Sequence, residues 1–535
     1  MKSKFFGGLA LASLGAISLV TSTVLSSCQT QQQSYSVNKQ AINQEVAQTF
    51  NDFLMQNHGR WTGNISKYGI DNLKTLEYTD KNNVTKTTYI GVNNDAKPLY
   101  DLQTKIDINV NNYGSYHSYL YILNKLTSMG LVNNSEVNIN YPAQANVTFD
   151  SNTKQFNVDL SNDTLYAQKE DTSNPGTMID DTNIIISSTG SNEDILKDGI
   201  VVQPFLWNGN DKANGILNTY NNEGQNIIAT IAPNDTAKND FYIVAHYDST
   251  ASGKNKASWG ATDNATGVAV ALEIINYIKD HKDQLGQTRL HVIFSDAEEV
   301  GVYGTKAFVS QYLLNNGPLS STSTNNIGMI NMDTVAGGDY IYAHSPNTSP
   351  DLGYNGTGNT STTIRDQLNA LSRIRSENYN DTNLELIIHP QVDKTEYRAG
   401  ETGDWSDHMP FYKYANIPVT YMESTNFQVR SNSGKYDGYS QTTNLNAYIL
   451  NDGTTLAEKN EKLKSTNINN SDLVVYDLPN YVDMSTYDDY EVTGNIWHYD
   501  IDTLDWVQKN IGDPLYQQLT TMFESLKLFL QTSIN

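Results

Sequence analysis

The chain has 535 residues, a formal charge of −24, a single cysteine and 38% hydrophobic residues. Its length allows a large core, and its Tyr and Ile content excludes a chain disordered throughout. The acidity excludes a nucleic-acid groove, which needs clustered Lys and Arg, and its plain meaning is solubility.

Lys2 and Lys4 precede an uncharged run of apolar or small residues from Phe5 to Val24, followed by Leu25-Ser26-Ser27-Cys28. The run is near the length of a membrane span, so an uncleaved anchor is the plain alternative. The segment resembles a bacterial lipoprotein signal, in which the Cys after a Leu-small-small triplet is lipidated and becomes the new N-terminus. The sole cysteine occupies that position. The expectation is therefore a signal peptide over 1–27, lipidation at Cys28, and attachment to the extracytoplasmic face of the cell membrane. A diacylglyceryl group brings two acyl chains, enough for stable attachment. No disulfide is then available, and the fold rests on its core alone or on core plus metal. Residues 28–40, with the polar run Gln29 to Ser36, read as a flexible tether.

From Val37 to about Gly59, Ile42, Val46, Phe50, Phe53 and Leu54 recur with helical period. Residues 65–110 are polar and read as an insertion, with a hairpin around Lys86 to Val92. Ser115 to Met129 is an amphipathic helix with Tyr119, Ile122, Leu123 and Leu126 on one face, and Gly130 takes the C′ position. Residues 140–220 read as a second insertion made of strand-like pieces, the clearest being Gln155 to Leu160 and Thr182 to Ser188. Ile227 to Ala232 and Asp240 to Ala245 are strands separated by the turn Pro233-Asn234-Asp235. Val268 to Ile278 is a helix. Leu290 to Phe294, Ile327 to Met332 and Ile417 to Met422 are strands, and a third insertion falls near 430–485. Asp513 as N-cap and Pro514 at N1 open a last helix with Leu515, Leu519, Met522, Phe523, Leu526 and Leu530 on one face. This alternation predicts one domain over 41–535, an α/β sheet with helices on both faces.

Five short segments carry the chemistry: His246-Tyr247-Asp248, Gly260-Ala261-Thr262-Asp263-Asn264, Asp296-Ala297-Glu298-Glu299, Asn331-Met332-Asp333 and Ser406-Asp407-His408. Three of them follow a strand directly, and ligand sites in open α/β sheets lie at the carboxyl ends of strands. Asp248 can hold the second nitrogen of His246, and the small residues around Asp263 let the backbone pass close to a neighbour. Adjacent carboxylates at 298 and 299 repel, and a cation relieves that repulsion. Taken singly, each segment has a bland reading: a strand-end His, an N-cap Asp, a solvated acidic turn. Together, two His and several carboxylates without Cys suit zinc in a hydrolytic site.

In order and spacing, the segments from Asp240 to Ser424 resemble those of the M28 family of zinc metallopeptidases. The resemblance extends in weaker form to the helix at Ser115 and to His498-Tyr499-Asp500-Ile501-Asp502-Thr503. It implies a mixed, mostly parallel central β-sheet of the zinc-exopeptidase type. It also implies two zinc ions, one held by His246 and Asp333, the other by Glu299 and His408, with Asp263 bridging. Glu298 would be the general base and Asp248 the partner of His246, and the bond after Asp263 is often cis in such proteins. His344 and His389 are expected in polar loops, and His498 in a structural motif near the site. The implied function is a surface-anchored exopeptidase, foremost an aminopeptidase acting on peptides. Carboxypeptidase and glutaminyl-cyclase activities belong to the same fold, and a non-catalytic binding lipoprotein is the reading from another class.

Overall fold

The computed structural model describes residues 40–57, 60, 74–79, 85–90, 115–134, 146–150, 155–159, 166–186, 192–207, 222–233, 237–250, 258–314, 316–389, 401–430, 435–466, 482–483 and 490–534. The expectations for the signal segment, Cys28 and the tether up to residue 39 lie outside them. Contacts divide the chain into residues 1–40 and a second unit, 41–535.

Ten strands of that second unit form one sheet: β1 (Tyr166–Glu170), β2 (Met178–Ile186), β3 (Gly199–Trp207), β4 (Asn222–Ile231), β5 (Asn239–His246), β6 (Thr288–Ser295), β7 (Asn325–Met332), β8 (Tyr340–His344), β9 (Leu386–Ile387) and β10 (Val419–Thr425). Their spatial order is β9-β8-β10-β7-β5-β6-β4-β3-β2-β1. The sheet is mixed, as expected, but parallel pairing is concentrated in the middle. The central run β10-β7-β5-β6 is parallel throughout. β9 pairs with β8 in parallel at one edge, β8 meets β10 antiparallel, and everything from β6 out to β1 is antiparallel. Antiparallel neighbours therefore outnumber parallel ones, which corrects the expectation of a mostly parallel sheet. The stretch expected as an insertion near 140–220 supplies β1, β2 and β3 to this sheet. The hairpin expected near Lys86 is Lys74–Thr79 paired with Thr85–Ile90.

The run Phe241-Tyr242-Ile243-Val244-Ala245 shows why the centre is covered twice. Side chains alternate across a strand, so an unbroken apolar run needs a partner layer on each face. Phe241, Ile243 and Ala245 pack into one core with α1 (Gln44–Gln56), α2 (Ser115–Ser128), α3 (Thr266–Ile278), α5 (Thr363–Tyr379), α7 (Leu504–Asn510) and α8 (Asp513–Thr532). Tyr242 and Val244 face the other core, built with α4 (Tyr303–Phe308), the following turn Val309–Leu313 and α6 (His408–Lys413). α8 begins one residue earlier than expected, with Gly512 as N-cap and the proline in its first turn. It packs Phe529 against Phe241 at 5.5 Å between ring centroids. Among the described residues no helix is long and apolar enough to cross a membrane.

Phe529 is buried against the strand that carries the candidate site. Truncation there removes transfer energy and leaves a cavity. Phe529→Ala should cost about 3–5 kcal/mol, read as a lowered urea midpoint with the m-value unchanged.

Candidate active site

The central parallel strands end together, and their ends carry the acidic and imidazole groups. His246 is the last residue of β5 and is buried. Its Nε2 lies 3.1 Å from Asp263 Oδ1 and 3.3 Å from Asp333 Oδ1. Its Nδ1 lies 3.2 Å from the Asp248 carbonyl oxygen and 3.5 Å from Asp248 Oδ1. The Asp248 carboxylate also accepts the backbone N–H groups of Glu298 and Glu299, at 3.2 and 3.3 Å. One carboxylate thus orients the imidazole and ties down the turn that carries the two glutamates. That turn leaves β6 through Ala297, whose φ is +58°.

Asp263 lies in the turn that opens α3, and the Asp263–Asn264 peptide bond is cis. The Asn264 amide donates to the Met332 carbonyl at 2.7 Å, and its oxygen accepts from Gly267 N at 3.0 Å, joining this turn to the end of β7. A Cβ at Gly267 would fall 2.5 Å from Asn264 Oδ1 and 2.8 Å from the Met332 carbonyl, so only glycine fits there. From the other side, Asp502 accepts Thr262 N at 2.6 Å, Asp263 N at 3.3 Å and the Ser258 hydroxyl at 3.2 Å.

Two trios of ligating atoms result, His246–Asp263–Asp333 and Asp263–Glu299–His498, and Asp263 belongs to both. His498 Nε2 is 3.2 Å from Asp263 Oδ2 and 2.9 Å from Glu299 Oε2. His498 therefore takes the place expected for His408. His408 opens α6, fully buried, with Nε2 2.8 Å from the Gly403 carbonyl, outside both trios. Its two predecessors serve the site instead. Ser406 donates to Asp333 Oδ2 at 2.8 Å, and Asp407 accepts the hydroxyls of Ser295 and Thr305 at 2.5 and 2.8 Å. At the start of a helix, consecutive side chains project in different directions, so a three-residue motif cannot aim every member at one point. The signal for His498 was the Asp502 of its own motif, which clamps the Asp263 turn. His344 is likewise not in a polar loop, and His389, in the loop after β9, is buried. His344 ends β8, buried, with Nε2 2.8 Å from Glu423 Oε1, and His389 packs on the Phe427 ring.

Burial pushes Glu298 well above its ordinary pKa, His246 opposes this, and Asp333, Asp407 and Glu299 reinforce it. Burial likewise raises Glu299 to about 7, Asp407 to about 6 and Asp502 to about 6. Asp296 is raised to about 8 by burial and by Asp248. For His246 and His498 burial favours the neutral form, but the surrounding carboxylates outweigh it and hold both well above the usual range. Oε1 of Glu299 is buried without a hydrogen-bond partner. Surplus buried carboxylate, an orphaned carboxylate oxygen and an N/O donor set fit divalent metal, with His246, Asp263 and Asp333 at one position and Asp263, Glu299 and His498 at the other. A cleft of about 580 Å³ opens over them, lined by Glu298 and also by Trp405, Tyr421, Glu423, Tyr439 and Trp497.

The model of Peptidase family M28 matches residues 226–511, more than half of the chain. The chain belongs to peptidase family M28. All five residues of the two trios, and Glu298, lie inside the match. Among curated relatives, the M28 chain is 33% identical over 122 residues to a vacuolar membrane protease of Candida tropicalis, covering 21% of this chain and 12% of that protein. It is 36% identical over 86 residues to a vacuolar membrane protease of Schizosaccharomyces japonicus, covering 16% of this chain and 9% of that one. The chain thus spans only about a tenth of the length of these relatives. Among solved structures it is similar to a zinc aminopeptidase from Bacillus subtilis at 17% identity and TM-score 0.31, covering 58% of this chain and 51% of that one. A glutaminyl cyclase from Fimbriiglobus ruber gives 13% identity and TM-score 0.35, covering 64% and 83%.

Two outcomes follow from the geometry. His498→Ala should remove one of the two divalent-ion positions in a calorimetric titration, whereas His408→Ala should lower stability and leave the ion count intact. The second concerns pH. Carboxyls raised to between about 6 and 8 hold protons in the folded chain that the unfolded chain has already released. The raised histidines act in the same direction, so the folded state binds more protons across this window. The melting temperature of the metal-free M28 chain should therefore fall as pH rises from about 5 to 8, and divalent metal should flatten that slope because it binds the deprotonated groups.

Proposed function

We propose that this chain is a zinc-dependent exopeptidase, foremost an aminopeptidase that removes N-terminal residues from peptides. The observation that carries the reading is a pair of ligand trios sharing Asp263, with the free carboxyl of Glu298 lining the same cleft. A shared carboxylate between two donor sets favours two ions over the single ion of a cyclase-like site. Bound zinc supplies the Lewis acidity that peptide hydrolysis at neutral pH requires.

The chain's own residues supply the rest. Glu298 accepts a proton from the attacking water and returns it to the leaving amine. A carboxyl whose proton affinity is raised by burial suits both steps. Asp248 keeps the His246 ring in one orientation and, through Glu298 N, fixes the base relative to that ring. Ser406 satisfies the second oxygen of Asp333, which leaves Oδ1 facing His246. The cleft walls shield the reacting bond from bulk water.

The proposal includes attachment to a membrane by lipid at Cys28. The charged-apolar-Cys pattern of residues 2–28 supports it, and the named relatives are membrane proteases. The partners are then peptides and a lipid bilayer.

Cleavage of a panel of free and N-acetylated peptides, with zinc and with a chelator, tests the reading. Free peptides should be cut in the presence of zinc and acetylated ones spared; cutting of free and acetylated peptides alike, lost when the C-terminal carboxylate is blocked, would assign a carboxypeptidase instead. Glu298→Gln should lower kcat by about 10²–10⁴-fold with zinc content unchanged. Full activity in that variant refutes the assigned base.

A further inference from the structure

Arg60 lies far from the five motifs in sequence and outside the residues matched by the family, yet its side chain is fully buried beside the site. Its Nε donates to the Tyr247 carbonyl at 2.7 Å, its Nη1 to the Trp259 carbonyl at 2.7 Å and its Nη2 to the Gly260 carbonyl at 2.6 Å. Its own carbonyl accepts Ser249 N at 2.8 Å, and its guanidinium lies 5.0 Å from the Phe53 ring centroid. The three acceptors belong to two different loops. Tyr247 stands between His246 and Asp248. Gly260 opens the turn that presents Asp263, and its carbonyl also accepts Ala265 N at 3.0 Å, closing that turn around Asp263. The fit is tight, because a Cβ at Gly260 would fall 2.4 Å from Arg60 Nη2.

We infer that Arg60 is a positioning residue for the metal site, a planar fork that locks the His246 loop to the Asp263 turn. A guanidinium offers donors in a fixed plane, so three carbonyls held by one fork cannot move independently. The first two ligands are therefore set at their working separation before any ion arrives. The guanidinium also brings a fixed positive charge among Asp248, Asp263, Glu299 and Asp502, all of which favour its charged form against the cost of burial. Lysine would keep that charge and lose the fork.

This inference rests on the metallopeptidase reading, and zinc affinity tests it without recourse to activity. Zinc dissociation constants are measured against a competing chelator for the full chain, for Arg60→Lys, Arg60→Met and Arg60→Ala, and for Met522→Ala, a buried core change in α8. Arg60→Lys should weaken zinc binding about 10–100-fold, and Arg60→Met should do so at least as strongly. Met522→Ala should lower the melting temperature and leave the affinity unchanged. Methylguanidine should recover part of the affinity of Arg60→Ala, and ammonium should not. Folded Arg60 variants that bind zinc as the parent does overturn the inference. Failure of both Arg60→Lys and Arg60→Met to fold also overturns it, since that assigns Arg60 to the fold alone. A parent chain that takes up no zinc refutes the metallopeptidase reading itself.

Discussion

The structure around the site depends on one constraint, a surplus of negative charge held out of water. Asp248, Asp263, Glu298, Asp333, Asp407 and Asp502 are all buried at the carboxyl edge of the sheet, with the Glu299 side chain among them. Buried like charges repel strongly, and only fixed donors or cations make such a cluster tolerable. The chain provides both kinds. Backbone N–H groups of residues 262, 263, 298 and 299 point at Asp502 and Asp248. Hydroxyls of Ser295, Thr305 and Ser406 serve Asp407 and Asp333. Arg60, His246 and His498 carry the positive charge. What these donors leave unmet shows at Glu299, whose Oε1 is buried without a hydrogen-bond partner.

Much of this was legible from residue order. Strand β5 announces itself as an unbroken apolar run, and β6 and β7 likewise end at their motifs, so the positions of His246, Glu298, Glu299 and Asp333 at one sheet edge followed from patterning. The second trio did not follow. His408 sits in a motif rich in the right residue types, but two of its neighbours already face the site, and its own ring turns to the Gly403 carbonyl. His498 comes from a segment whose pull on the Asp263 turn is made through Asp502, a contact between residues 240 positions apart.

The missed elements share a physical cause. Helix α5 buries Ile364 and Leu368, but continues its inner face with Ser372, Arg375 and Ser376. Arg375 donates to the Thr521 carbonyl and the Ser525 hydroxyl on α8, so polar pairing replaces the apolar stripe that marks a helix in sequence. Strand β3 contains Pro204, and the first part of β2, ahead of the strand piece expected from Thr182, carries Asp180 and Asp181, residues that interrupt strand patterning. Both belong to the antiparallel flank, where pairing is decided between strands and not by any single segment.

The spread of the two trios along the chain has a consequence for the order in which they can form. His246, Asp263 and Asp333 lie on or between the segments that run from the end of β5 to the end of β7, but the second trio waits for the segment around His498. A nascent chain still missing that segment holds the base and one donor set without the partner set. The order of the motifs along the chain therefore works as a timer, and the second donor set is complete only once the segment around His498 has docked on the Asp263 turn.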